Sequence, residues 1–175
     1  MTRLWGIALL LVSLTAAVGQ RRRDVLNPLE VDQLRDAAQE PDKRLKLYIQ
    51  FARERLALLE KAGSDPKVTN RGQETHDRLE EFLSLYDEFD RNIDTFADRQ
   101  EDLRKTLKAV LEADTEFQAK LRALKDSAET SKSEARQYEF VLTSAIEAVD
   151  AGVSDHQQLL AQQEEAFKKK KKRKP

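Results

Sequence analysis

Residues 79–128 read LEEFLSLYDEFDRNIDTFADRQEDLRKTLKAVLEADTEFQAKLRALKDSA. Apolar side chains recur here at alternating steps of three and four. The series runs Leu79, Phe82, Tyr86, Phe89, Ile93 and Phe96, then Leu103, Leu107, Val110, Phe117, Leu121, Leu124 and Ala128. Gln100 and Asp114 are its only polar members. Such a repeat keeps one stripe on one face of an α-helix and predicts helices packed at shallow angles. After a polar interval the same phase resumes at Ala135, Tyr138, Leu142, Ala145 and Val149. Leu83, Leu85, Leu111, Phe140, Val141 and Ile146 widen the stripe, which suits a bundle of three or four helices better than a two-stranded coil.

No stretch alternates apolar and polar residues as a half-buried strand does. The expected fold class is therefore all-α: an elongated antiparallel helical bundle with coiled-coil-like packing and long helices. Asn27, Pro28 and Glu30 supply a cap, a first-turn proline and a capping box for a helix over about 28–38. Pro41 starts the next helix, over about 41–62, and Gly63 ends it. Asp98 and Glu101 also have capping-box spacing, but the stripe keeps its phase through them. The expectation is one helix over about 70–127, possible kink included, roughly 87 Å long at about 1.5 Å per residue. Ser131 and Glu134 would cap a helix over 132–150, and Gly152 would break it before a last helix over 154–167.

The N-terminus reads MTRLWGIALLLVSLTAAVGQ. One arginine, an apolar run and small residues at Ala17 and Gly19 are the layout of a signal peptide over 1–19, cut between Gly19 and Gln20. The apolar part, Leu4 to Val18, would span about 22 Å as a helix, short of the roughly 30 Å hydrocarbon core. Cleavage is therefore expected rather than retention as an anchor, although Arg21 to Arg23 follow directly and oppose translocation. The expected location is exported, periplasmic or secreted, with peripheral attachment to a membrane surface as an option. The chain has no cysteine, so neither disulfides nor thiolate chemistry arise.

Charge is divided unevenly. The chain has 31 Lys plus Arg and 32 Asp plus Glu. All 32 acids lie between Asp24 and Phe167 with only 20 of the cations, a body of about −12 between two basic ends. The C-terminal end carries Lys168, Lys169, Lys170, Lys171, Lys172, Arg173 and Lys174, expected as a disordered tail over 168–175 that binds an anionic membrane surface or another polyanion. No aromatic residue interleaves these cations, so nothing there would stack on bases, which argues against nucleic acid.

The block RRRDVLNPLEVDQLRDAAQEPDKRLKLY resembles the mature start of a family of uncharacterised, exported, all-helical bacterial proteins, and the likeness continues through LEADTEFQAKL. The resemblance implies export and a helical fold, with no activity attached. In architecture the chain also looks like exported coiled-coil holdase chaperones, but it lacks their β-sheet and their basic helices.

Sites of chemistry are sparse. Asp90, Asp94 and Asp98 form an acidic ladder at i, i+4 and i+8, with Asp87 and Glu88 beside it. Like charges so spaced disfavour a helix, so a bridging cation is one way to offset them, and these three are the weak metal candidates. Such ladders are similar to those of metal-binding helical phosphate-uptake regulators, although no internal repeat accompanies this one. Neighbouring cations are the simpler offset, so no metal is expected. Of the two histidines, His76 pairs with Glu80 on a solvated face, and His156 is expected to be exposed. Asp114, at a core place in the stripe, would pair with a basic residue across the interface and fix register. No nucleophile elbow or phosphate-cradling loop is present, so the expectation is no enzyme, no catalytic residue and no cofactor. The function expected is a helical scaffold or interaction protein, with a protein partner or its own copies against its helix faces. A periplasmic holdase-type chaperone or a divalent-cation-binding helical protein is the alternative.

Overall fold

The structure, a computed structural model, describes residues 25–64, 69–128 and 132–172. The expected signal peptide with its Gly19–Gln20 junction, Arg21 to Arg23, Ser131, Arg173 and Lys174 lie outside the described residues. The described residues form five α-helices and no strand: α1 (Pro28–Asp36), α2 (Pro41–Ser64), α3 (Arg71–Asp98), α4 (Arg104–Ala128) and α5 (Lys132–Lys172). The all-α bundle is as expected.

The long helices alternate in direction. Tyr48 of α2 meets Glu88 of α3, Arg53 of α2 meets Glu116 of α4, and Gln118 of α4 meets Asp150 of α5. Around the bundle the order is α2, α3, α5, α4. Consecutive α3 and α4 thus lie diagonally opposite, and α5 is a neighbour of both. The stripe faces the centre: Leu79, Phe82, Phe89, Ile93, Val110, Phe117 and Leu121 are all buried. Aromatic rings step through it, with Phe82 and Phe117 edge to face at 5.6 Å and Tyr86 and Phe89 at 5.8 Å.

Helix α1 starts with the expected capping box, Asn27 Oδ1 accepting from Glu30 N and Glu30 Oε2 accepting from Asn27 N. Among the described helices it packs on α2 alone. The Glu30 carboxylate also takes two hydrogen bonds from Arg55 of α2, at 2.9 and 2.7 Å, and Arg55 donates to the Val25 carbonyl. This ion pair is almost wholly buried.

Three expectations need correction. The helix expected over 70–127 is two helices. Residues 99–103 turn the chain, with Gln100 at φ 60°. Glu101 N donates to the Phe96 carbonyl and Gln100 N to the Ala97 carbonyl, closing α3 as a Schellman motif with glutamine at the left-handed position. The stripe runs through undisturbed because Phe96 and Leu103 are one seven-residue repeat apart across the turn. The helices expected over 132–150 and 154–167 are one helix, α5, which passes through Gly152. Glycine disfavours a helix interior by about 1 kcal/mol, too little to break one held on two sides by tertiary packing. Finally, Lys168 to Lys172, expected in a disordered tail, lie on α5. Lysine is a good helix former, cations suit a helix C-terminus, and Lys169 pairs with Glu165 one turn back at 2.7 Å.

Candidate functional sites: a buried polar layer and a basic helix end

Halfway along the bundle the apolar stripe is interrupted by a layer of polar side chains. Asp114 of α4 is fully buried. Its Oδ1 accepts from the Tyr86 hydroxyl of α3 at 2.9 Å, and its Oδ2 lies 2.8 Å from His156 Nδ1 of α5. The other ring nitrogen, Nε2, lies 3.1 Å from Asp90 Oδ1 of α3. His156 is 2 % exposed, whereas the Asp90 side chain is 40 % exposed and forms the outer end of the chain Tyr86–Asp114–His156–Asp90. Three helices thus meet on one imidazole.

Backbone geometry makes room for this. Gly152 lies one turn before His156 on the same face of α5. A Cβ there would stand 2.3 Å from the Tyr86 hydroxyl oxygen and 3.1 Å from Cζ, so only glycine lets the phenol reach Asp114. Phe89 closes the layer, its ring 6.1 Å from the imidazole and tilted edge to face.

Burial alone would lower the His156 pKa. The hydrogen bonds to Asp114 and Asp90 and the charge of both carboxylates override it and raise the value to about 9. Burial and the Asp114 carboxylate hold the Tyr86 phenol far above its ordinary range, so it keeps its proton and donates.

Asp114 does pair with a basic residue across the interface, and that residue is His156. The expectation that His156 is exposed is overturned. The signal was available: extending the three-and-four steps past Val149 lands on Gly152 and then His156, so both are stripe positions. Asp90 faces His156, while Asp94 and Asp98 follow on the exposed side. Burial, with Asp90 and Asp98 beside it, raises the Asp94 pKa. Among the described residues, His76, Asp77 and Glu80 form a group of three whose ligand atoms all lie within 4.8 Å of one another. These crowd one short stretch of α3, with His76 Nε2 3.9 Å from Glu80 Oε1.

A second site lies at the far end of α5. Gln163 bridges the α3–α4 turn, accepting from Leu103 N at 2.9 Å and donating to the Glu101 carbonyl at 3.0 Å. One turn further the Arg104 guanidinium lies over the Phe167 ring at 3.6 Å. Arg104 also grips Asp102 with two hydrogen bonds, which hold that carboxyl down at about 2, with Lys170 adding a small share. Beyond Phe167, Lys168, Lys169, Lys170, Lys171 and Lys172 are all exposed. At 100° per residue they point to every side of the helix, a collar of charge rather than a stripe.

No helix among the described residues is long and apolar enough to cross a membrane. Comparison with protein-family models, with curated proteins and with solved structures finds no match to this chain.

Proposed function

We propose that this chain is an exported, non-enzymatic interaction protein that docks end-on onto an anionic phospholipid surface through the C-terminal end of α5. The observation that carries this is the extension of α5 past the α3–α4 turn, along which Lys168 to Lys172 are all exposed. From Phe167 the helix runs on for about 7.5 Å, five residues at about 1.5 Å each. Each lysine close to an anionic bilayer contributes about 1 kcal/mol, and Arg173 and Lys174 continue the run in sequence. The acidic body disfavours side-on approach to the same surface, which leaves the basic end as the point of contact. The N-terminal layout of basic, apolar and small residues supports export. A role without catalysis is supported by the enclosure of His156, Asp114 and Tyr86, since at 2 % exposure the imidazole offers no face to a substrate.

The test is co-sedimentation with vesicles of phosphatidylglycerol and phosphatidylcholine, compared with phosphatidylcholine alone. Binding is expected only to the anionic vesicles, weakening as salt is raised, and lost on deletion of residues 168–175. Unchanged binding after that deletion rejects the proposal.

A further inference from the structure

We infer that His156 is a proton-keyed pin: a doubly protonated imidazole holds α5 in register against α3 and α4, and loss of its proton loosens that helix. The argument begins with donors and acceptors. Each ring nitrogen faces a carboxylate oxygen, Nδ1 towards Asp114 Oδ2 and Nε2 towards Asp90 Oδ1. A neutral ring has one nitrogen with a lone pair and no hydrogen. That lone pair would be directed at an acceptor oxygen in a site nearly free of water. Asp114 does not relieve the conflict through its other oxygen, because Oδ1 already accepts from Tyr86. With both carboxylates ionised, only the imidazolium satisfies both contacts.

The surrounding charges favour the same state. From α3 the ring is faced by Asp90, with Asp94 one turn on, and from α4 by Asp114; on α5 itself Asp155 adds a charge that reaches Tyr86 and Asp94. From α2, which is not adjacent to α5, Tyr48 stands behind Phe89 with its hydroxyl turned to Glu88. Arg44 of α2 lies over the far Tyr48 ring; the groups nearer the imidazole are acids or phenols, and the imidazolium is the cation among them. Deprotonation leaves two carboxylates facing an uncharged ring and one another through it. Asp90, partly open to solvent, is the exit for the proton.

The pin works in one direction of pH. A histidine whose folded pKa is raised from 6.5 to about 9 stabilises the fold fully below about 6.5, and that stabilisation is lost as pH rises through about 9. Because α5 also bears the basic end, the pin fixes the helix proposed above to dock, but it rests on the core geometry alone and stands if vesicle binding fails.

The experiment uses the full chain labelled with ¹⁵N. The two histidines are assigned with His76→Asn, and the ring nitrogens are followed through a pH titration. The expected result is an imidazolium with both nitrogens protonated at pH 7 that titrates near 9. A His156 ring that is neutral at pH 7, with the proton on Asp114, overturns the inference. As a second reading, the melting temperature of the native sequence falls from about pH 6.5 through about 9, whereas that of His156→Gln stays flat over the same window. A native protein with a flat profile likewise overturns it. The ring titration needs no core variant, so failure of His156→Gln to fold leaves the test intact.

Discussion

Gly152 and Tyr86 share a space that neither could share with a methyl group. The phenol must come this close to α5 to reach the Asp114 carboxylate behind it, and a Cβ at position 152 would occupy the place of its oxygen. Alanine there gains about 1 kcal/mol of helix propensity. It also overpacks the layer, at about 1–3 kcal/mol, and displaces a buried hydrogen bond worth about 1–3 kcal/mol when broken. Gly152→Ala is therefore expected to lower the unfolding free energy by about 2 kcal/mol in a urea titration. A variant as stable as the parent would mean that Tyr86 reaches Asp114 by another path. Gln100 presents the opposite case, a side chain where glycine belongs. At φ 60° its Cβ is strained by about 1 kcal/mol, so Gln100→Gly is expected to raise the unfolding free energy by about that amount, read in the same titration.

At the scale of the helix, α1 is the element with least to hold it. Among the described helices it touches α2 alone, and the large side chains of Leu29 and Val31 are exposed. Glu30 and Arg55 therefore carry much of the attachment, joined by Arg44 of α2, which donates to the Leu34 carbonyl. Removing the cation leaves a buried carboxylate without its partner, at about 3 kcal/mol. Arg55→Met is expected to cost that much in urea. It is also expected to release the α1 amides to hydrogen exchange before those of α2, a local opening and not only a weaker whole. Equal protection of α1 in both proteins would show that Leu34 and the capping box suffice. The α3–α4 turn is held differently, from outside, by Gln163 of α5.

Over the whole molecule, the seven-residue stripe marks most core positions of α3, α4 and α5, because burial of one helix face is a property of local spacing. The same regularity concealed the turn at 99–103. A reversal that happens to occupy the length of one repeat leaves no break in phase, and Gln100, unlike glycine, is no signpost. Gly152 misleads for the converse reason: its absent side chain answers Tyr86, 66 positions away along the chain, so the helix stop it signals is not there. His156, flanked by Asp155 and Gln157, looks like surface when only its neighbours are weighed. It becomes a core residue when the stripe is carried two steps further, and Asp114 then has a partner of opposite charge. The charge division between body and C-terminal end was plain from composition, but the helix under the lysines was not. It depends on Glu165, Phe167 and Arg104 acting together at the bundle's edge.

The diagonal placement of α3 and α4 has a consequence for how the protein is made. The two helices are consecutive in the chain yet do not lie side by side; α2 walls one flank between them, and α5, which is made after both, walls the other. A nascent polypeptide ending near residue 130 leaves Phe82, Tyr86, Asp114 and Phe117 open to water along one flank. The interior closes only when α5 arrives, so the growing chain stays pliable along that flank until α5 has followed α4.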